Sequence, residues 1–129
     1  MPRILVVDDD AGLADVVRRV LERSGHEVRV AASGLDGARG YREQAADLAI
    51  VDIHMPEMDG LELLVQLRTL APGMPVIVMS GGVQTGGLNL LGDARLLGAV
   101  ATLAKPFSID ELLGAVARAL APKPRADTA

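Results

Sequence analysis

The chain has 129 residues and a formal net charge of −4, from 13 Lys and Arg against 17 Asp and Glu. This length suits a single domain, and the acidic balance, with Tyr41 and Phe107 as the only aromatic residues, argues against direct binding of nucleic acid. The absence of cysteine excludes disulfides and thiolate metal sites. We recognise neither a secretory signal nor a stretch that could span a membrane, and therefore expect a cytoplasmic protein without membrane insertion.

The first part of the chain predicts a strand, a helix and a second strand. Residues 4–7 form a nearly continuous apolar run, typical of a central strand that is covered on both faces in a parallel sheet. A helix follows, with apolar residues at helical spacing from Leu13 to Leu21 and with Gly25 where a C-terminal cap belongs. Residues 27–31 alternate charged residues with valine, which indicates a strand at a sheet edge.

The alternation of strand and helix continues along the chain. Three further apolar runs predict central strands at 48–51, 76–79 and 100–103. Helices are predicted at about 34–44, 58–70, 88–97 and 109–120, and a capping box of Ser108 and Glu111 begins the last one. This pattern predicts a parallel α/β sheet with right-handed crossovers. We expect one domain over residues 1–121, followed by a flexible C-terminal tail at 122–129.

Three carboxylates follow two of the predicted central strands, Asp8 and Asp9 after the first and Asp52 after the strand at 48–51. Because the carboxyl ends of parallel strands share one edge of a sheet, these side chains are expected to converge. Two like charges about 4 Å apart repel by roughly 4 kcal/mol at an effective dielectric constant of about 20, so we expect protons or a cation to neutralise the cluster, and a hard divalent cation fits best. Oxygen ligands without a Cys or His cluster favour Mg²⁺, with Mn²⁺ as the alternative. A plainer interpretation is that residues 8–10 cap the following helix.

Two other strand ends add complementary groups to the same edge. Ser80 closes the strand at 76–79, and Lys105, followed by Pro106, closes the strand at 100–103. Phosphoryl transfer depends on positioning and on neutralising charge, which a metal, a lysine and a hydroxyl can do together. A carboxylate can act as the nucleophile and form an aspartyl phosphate. Separately, Ser80 could be a turn residue and Lys105 a surface lysine, but together they indicate a phosphoryl site.

The ordered combination of these motifs resembles the response-regulator receiver family, of the kind typified by the chemotaxis protein CheY. Four segments carry the resemblance: Ile-Leu-Val-Val-Asp-Asp at 4–9, Val-Asp-Ile-His-Met-Pro-Glu-Met-Asp-Gly at 51–60, Val-Met-Ser-Gly at 78–81 and Ala-Lys-Pro-Phe at 104–107. The expected fold is a doubly wound, five-stranded parallel sheet of the α/β class, with the flavodoxin-like strand order 2-1-3-4-5 and five helices.

The resemblance implies a role for each matching residue. Asp52 is the phosphoacceptor; Asp8, Asp9, Asp52 and the backbone carbonyl of His54 hold Mg²⁺; Ser80 and Lys105 contact the phosphoryl oxygens; and the Lys105–Pro106 peptide bond is cis. The implied protein is not an enzyme in the usual sense, because it catalyses only its own phosphorylation and dephosphorylation.

The resemblance also implies partners in a two-component system or phosphorelay. A sensor histidine kinase or a histidine phosphotransfer protein passes its phosphoryl group to Asp52, and Ser80 then shifts toward the new phosphate. A downstream protein docks on the face formed by the fourth predicted helix, the fifth strand and the fifth helix. Since no output segment follows Leu120 in the sequence, we expect a stand-alone receiver.

Two positions depart from the family pattern. Most members have an aromatic residue in the fifth strand, three positions before the lysine, which moves together with the hydroxyl residue; here that position is Thr102. Thr102 is either an ordinary β-branched strand residue or a smaller switch that moves with Ser80. The second departure is the glycine-rich stretch at 81–87, and we expect phosphorylation to act mainly by ordering this loop and the helix after it.

One enzymatic alternative competes with this interpretation. Asp8 and Asp10 after an apolar strand also resemble the haloacid-dehalogenase phosphatases, in which Asp8 would be the nucleophile and Asp10 the general acid. That family's late acidic pair is missing, because Asp110 and Glu111 fall in a helix cap. A flavodoxin-like cofactor carrier is weaker still, since aspartates stand where donors for the flavin phosphate would be needed.

Overall fold

The computed structural model describes residues 2–53, 60–80 and 98–121, apart from the side chains of residues 60 and 61. Its strands are β1 (Arg3–Val7), β2 (Glu27–Ala31), β3 (Leu48–Asp52), β4 (Val76–Ser80) and β5 (Ala101–Ala104). Its helices are α1 (Ala11–Arg23), α2 (Gly34–Glu43), α3 (Gly60–Leu70) and α4 (Ile109–Leu120), the last being the fifth helix of the sequence prediction. The helix predicted at 88–97, the loop at 81–87 and the tail at 122–129 lie outside the described residues.

The five strands are parallel and follow the order β2-β1-β3-β4-β5, which confirms the expected doubly wound sheet. β2 lies at one edge, as its alternating pattern predicts. The interpretation of residues 100–103 as a central strand is wrong, because β5 forms the opposite edge. Val100 precedes β5 and is 41% exposed, and Thr102 is only half-buried. An apolar run indicates that a strand is covered, whereas strand order depends on long-range pairing that a local pattern does not encode.

Helices cover both faces of the sheet, and alternate strand residues divide between two cores. The core beneath α1 and α4 contains Ile4, Val6, Leu48, Ile50, Ile77, Met79 and Leu103 of the strands and Val17, Leu21, Leu112, Ala115 and Val116 of the helices. The core beneath α2 and α3 contains Leu5, Val7, Ala49, Val51, Val76 and Val78 of the strands and Ala38, Leu63, Leu64 and Leu67 of the helices. Because both faces are buried, a register shift of one residue would exchange the two cores, so the residue that ends each strand is fixed.

The ends of α1 and α4 carry the predicted caps. Ser108 accepts from the Glu111 N–H while the Glu111 carboxylate accepts from the Ser108 N–H, which completes the capping box. Gly25 follows α1 with a φ of 94°, a left-handed conformation that favours glycine. No helix in the described part of the chain is both long and apolar enough to cross a membrane.

Gly37 brings α2 close to the end of β1. A Cβ atom added at Gly37 would lie 2.8 Å from Cγ2 of Val7 and 3.3 Å from Cδ2 of Leu63, so a larger residue would force a displacement. The missing side chain lets α2 pack directly on the last residue of β1. Since Val7 immediately precedes Asp8, this contact helps to fix where the chain leaves the sheet.

Candidate functional site

Polar side chains from four strand ends lie at the carboxyl edge of the sheet. Asp8 follows β1, Asp52 ends β3, Ser80 ends β4 and Lys105 follows β5. Asp8, Asp52 and Ser80 are only 1%, 4% and 2% exposed. Burying a charged carboxylate is costly unless it is paired. The burial of Asp8 and Asp52 therefore depends on the charged groups and hydrogen-bond donors next to them.

Three carboxylates converge at this edge. One oxygen from each of Asp8, Asp9 and Asp52 lies within 4.8 Å of the other two. Octahedral Mg²⁺ binds oxygen at about 2.0–2.1 Å, so its ligands lie roughly 3 Å apart when adjacent and roughly 4 Å apart when opposite. The cluster therefore fits Mg²⁺ with little adjustment. The carbonyl of His54, the further ligand that the resemblance implies, lies outside the described residues.

Lys105 places a positive charge inside the carboxylate cluster. Its Nζ donates to Asp8 Oδ2 over 3.0 Å and to Asp52 Oδ2 over 3.2 Å, and 18% of its side chain is exposed. Its backbone N–H donates to the carbonyl oxygen of Ser80 over 2.7 Å, which ties the ends of β4 and β5 together. The peptide bond between Lys105 and Pro106 is cis, the isomer that the resemblance implies. One ammonium thus offsets two buried carboxylates.

The other oxygen of Asp8 is held by the start of α1. Asp8 Oδ1 accepts a hydrogen bond from the backbone N–H of Asp10 over 2.9 Å. Asp10 is the N-cap of α1, and its Oδ1 accepts from the N–H of Leu13 over 3.1 Å. The capping interpretation of residues 8–10 is therefore correct for Asp10, whereas the carboxylate of Asp8 reaches Lys105.

Burial and charge shift two pKa values in this cluster. Burial raises the pKa of Asp8 and the charge of Asp52 adds to the increase, while the N–H of Asp10 and the ammonium of Lys105 oppose it. Burial by itself lowers the pKa of Lys105, but the hydrogen bond to Asp8 and the charges of Asp52 and Asp8 outweigh that effect, so this pKa is raised. Lys105 is therefore a permanent cation at neutral pH, and burial works against ionisation of Asp8.

Ser80 and Thr102 belong to the same face of the sheet. Ser80 continues the alternation of Val78 toward α2 and α3, and Thr102 pairs in register with Val78. Met79, the residue before Ser80, pairs with Asp52. Ser80 therefore ends the strand that lies next to the strand ending in Asp52. A coupled movement of Thr102 and Ser80 stays a prediction.

An open cleft beside the cluster is a feature that the sequence analysis missed. Asp10 and Leu13 of the α1 region and Lys105, Pro106 and Phe107 of the segment after β5 line it. These segments meet because α1 and α4 cover the same face of the sheet. The two segments are far apart in sequence. Only the motif around Lys105 could therefore have pointed to the cleft from the sequence. The cleft opens the side of Lys105 to solvent.

The sequence model of the response regulator receiver domain matches residues 4–117. The chain belongs to this family. The matched range includes all five strands except the first residue of β1, together with most of α4, so the described fold and the family domain are the same unit. The identification as a receiver domain with a CheY-like fold, made from the motifs, is confirmed.

Individual relatives agree with the family match. The chain is 33% identical over 118 residues to sporulation initiation phosphotransferase F of Bacillus subtilis (strain 168), covering 92% of this chain and 93% of the relative. It is 37% identical over 123 residues to the DNA-binding transcriptional regulator NtrC of Rhizobium meliloti (strain 1021), covering 95% of this chain but only 25% of NtrC. A crystal structure of a response regulator receiver domain protein from Clostridium thermocellum matches with a TM-score of 0.85 and 31% identity, covering 93% of this chain and 94% of the other. The chain thus spans about a quarter of the length of NtrC.

These similarities decide between the competing functions. They support a phosphoacceptor of two-component signalling and not the haloacid-dehalogenase alternative with Asp8 as the nucleophile. The geometry agrees, because the carboxylate of Asp10, the general acid of that alternative, caps α1. Receiver domains interact with histidine kinases or phosphotransferases and bind Mg²⁺ at an acidic pocket, of the kind formed here by Asp8, Asp9 and Asp52.

Proposed function

We propose that Asp52 is the phosphoacceptor of this receiver domain, and that the donor is a phosphohistidine on a sensor kinase or a phosphotransfer protein. The observation that carries this proposal is the bridge made by Lys105, whose ammonium is within hydrogen-bond distance of both Asp8 and Asp52. A nucleophilic carboxylate, a lysine and an acidic cluster that fits a divalent cation meet at one point. Phosphoryl transfer to a carboxylate needs this combination of groups.

In the proposed reaction, a carboxylate oxygen of Asp52 attacks the phosphorus atom of the donor. The phosphorus–nitrogen bond breaks, and the imidazole leaves with the bonding electrons and takes up a proton from solvent. The product is an aspartyl phosphate, and nothing is oxidised or reduced. Asp52 is the last residue of β3 and is buried in the sheet edge, so the protein holds the nucleophile in place before the donor arrives.

Lys105 is proposed to stabilise the transferred group. Its Nζ already lies 3.2 Å from Asp52 Oδ2, so a phosphoryl oxygen attached to Asp52 would come within reach after a small rotation of the lysine side chain. Its partial burial strengthens the attraction between the ammonium and the developing negative charge. Ser80 is proposed to shift toward the new phosphate and to donate a hydrogen bond from its hydroxyl to another phosphoryl oxygen. This shift is proposed to begin the switch.

Mg²⁺ is the proposed cofactor, with Mn²⁺ as the alternative. Asp8, Asp9 and Asp52 would hold it through their carboxylates, and His54 through its backbone carbonyl. When bound, the ion neutralises the carboxylates and the phosphoryl oxygens. Asp9 is the exposed member of the cluster, so the ion is proposed to enter and leave the site from the side of Asp9.

The proposed output is a contact with a downstream protein on the face that includes β5 and α4. The backbone N–H of Lys105 donates a hydrogen bond to the carbonyl oxygen of Ser80, so a displacement of Ser80 acts directly on the end of β5. Ile109 begins α4 with 57% of its surface exposed, which provides apolar area next to that segment. Catalysis is proposed only for phosphorylation and dephosphorylation of the domain itself.

Incubation with Mg²⁺ and acetyl phosphate, followed by intact mass spectrometry, tests the proposed acceptor. We expect one phosphoryl group on the wild type and none on Asp52→Asn. The matched control is Asp36→Asn, which changes an exposed carboxylate in the first turn of α2 and should leave labelling intact. Labelling of Asp52→Asn at the wild-type rate would exclude Asp52 as the acceptor.

A further inference from the structure

Asp10 is an acidic residue beside the cluster to which the proposed reaction gives no role. Its carboxylate is engaged with α1, where its Oδ1 accepts from the N–H of Leu13 over 3.1 Å. Its backbone N–H, in contrast, is directed at the site and donates to Asp8 Oδ1 over 2.9 Å. The same residue therefore contacts both the helix and a member of the carboxylate cluster.

The turn from Asp8 to Asp10 is anchored at both ends. At its start, the N–H of Asp8 donates to the carbonyl of Ala31 over 3.0 Å. At its end, the carbonyl of Asp10 accepts from the N–H of Ala14 over 2.9 Å, in addition to the cap made by its side chain. Of these three contacts, the side-chain cap alone depends on which residue occupies position 10.

Asp9 lies in the middle of this turn. Its side chain is exposed, yet one of its oxygens lies within 4.8 Å of oxygens of Asp8 and Asp52. Because an exposed side chain has little packing to hold it, its position follows from the backbone that carries it. If the start of α1 frays, the turn opens, and Asp9 and Asp8 lose their alignment with Asp52.

We propose that Asp10 is a positioning residue for the cation site: by capping α1 it keeps the turn closed and holds Asp8 and Asp9 in register with Asp52. This inference rests on the proposed function, because the ion concerned is the Mg²⁺ of the phosphorylation site. Asp10 acts through the hydrogen bond that it accepts and not through its charge. An uncharged capping residue is therefore able to replace it, since Asn and Ser cap as well as Asp does.

Isothermal titration of Mg²⁺ into the unphosphorylated protein, at an ionic strength that screens distant charges, tests the proposal. We expect Asp10→Asn and Asp10→Ser to bind Mg²⁺ within about twofold of the wild type, because both retain the cap. Asp10→Ala should bind on the order of tenfold more weakly, the lower end of the range for groups that orient metal ligands. Asp10→Gly also lacks the hydrogen-bond acceptor but lowers the stability of the helix less than alanine does. It replaces Asp10→Ala in the experiment if the alanine variant does not fold.

Ser33→Ala is the matched control for the loss of a helix cap. Ser33 caps α2 in the same way, with its hydroxyl accepting from the N–H of Asp36 over 3.1 Å. The Ser33→Ala variant should lower the melting temperature much as Asp10→Ala does, without weakening Mg²⁺ binding. Equal Mg²⁺ affinity in Asp10→Ala and the wild type would refute the positioning role, as would a loss in Asp10→Asn as large as in Asp10→Ala. A wild type that binds no Mg²⁺ would refute the magnesium site itself, and the inference with it.

Discussion

Lys105 Nζ lies 3.0 Å from Asp8 Oδ2, and this contact joins residues 97 positions apart in the sequence. The same ammonium reaches Asp52 at 3.2 Å. A buried carboxylate pair is destabilising by itself, and a third carboxylate, that of Asp9, lies close to both. The protein therefore carries a fixed cation at the place where the proposed phosphoryl group and Mg²⁺ would add further charges. Stability and phosphorylation are expected to depend on the same few groups.

The Asp52→Asn variant should be more stable than the wild type when Mg²⁺ is absent. Two carboxylates about 4 Å apart repel by roughly 4 kcal/mol at an effective dielectric constant of about 20. Because Lys105 already offsets part of this repulsion, we expect the free energy of unfolding to rise by only about 1 kcal/mol. Urea denaturation after treatment with a chelator measures it. A lower stability of Asp52→Asn would show that the pairing with Lys105 outweighs the repulsion.

Mg²⁺ should stabilise the wild type and have a smaller effect on Asp52→Asn. A ligand that binds only the folded state raises the free energy of unfolding by an amount that grows with its concentration relative to its dissociation constant. Removing one of three carboxylates weakens the site, so the same Mg²⁺ concentration should produce a smaller increase in melting temperature. Equal increases in both proteins would indicate that the ion binds elsewhere.

Replacing Lys105 by Met should destabilise the metal-free protein. The methionine fills a similar volume but leaves two buried carboxylates without their cation, which we expect to lower the free energy of unfolding by about 2 kcal/mol. Adding Asp52→Asn to Lys105→Met should recover part of the loss, because the remaining repulsion falls. A double-mutant cycle with a coupling below about 0.5 kcal/mol would contradict a direct interaction between these residues.

The raised pKa of Asp8 predicts how stability changes with pH. A carboxyl whose pKa is higher in the folded protein than in the unfolded chain stabilises the fold fully below its ordinary value of 3.8, and this contribution is lost as the pH rises through the folded-state pKa. Without Mg²⁺, the stability of the wild type should therefore fall relative to that of Asp8→Asn as the pH rises above the ordinary value of 3.8 and through the raised pKa of Asp8.

Chemical denaturation of both proteins at several pH values checks this expectation. The raised pKa of Lys105 does not interfere, because its contribution is complete below its ordinary value of 10.5 and is lost only at more alkaline pH. A stability difference that moves in favour of the wild type as the pH rises would contradict the effect of burial on Asp8.

Gly37→Ala should destabilise the protein although alanine favours helices. The new methyl group would come within 2.8 Å of Val7, and overpacking of this kind costs about 1–3 kcal/mol, against a gain of about 1 kcal/mol in helix propensity. Gly114→Ala on α4 is the control, since its nearest contact is the mobile end of Arg118 at 3.3 Å. Thermal unfolding should therefore show a loss for Gly37→Ala and a neutral or stabilising effect for Gly114→Ala.

The sequence predicted those parts of the site that depend on topology. Once parallel strands were recognised, the positions of Asp8 and Asp52 at two strand ends were enough to place both carboxylates at one edge. Helix caps were equally accessible, because the capping box of Ser108 and Glu111 is a local pattern.

Other features could not be predicted because they depend on contacts between distant segments. The position of β5 at the sheet edge was implied only by the family resemblance, through the strand order 2-1-3-4-5. This edge position follows from its pairing with β4 alone, whereas its own apolar sequence resembles that of a central strand. The double contact of Lys105 and the role of Asp10 in holding Asp8 depend on distances of a few ångströms. Residue spacing does not encode such distances between strand ends.

The most direct test of the central claim is chemical mapping of the phosphorylated residue. After phosphorylation with acetyl phosphate and Mg²⁺, reduction by borohydride converts an aspartyl phosphate to homoserine, which peptide mass spectrometry locates. We predict that homoserine appears at position 52 and that its yield falls strongly when Mg²⁺ is chelated. Homoserine at position 8 or 9, with position 52 unchanged, would contradict Asp52 as the phosphoacceptor.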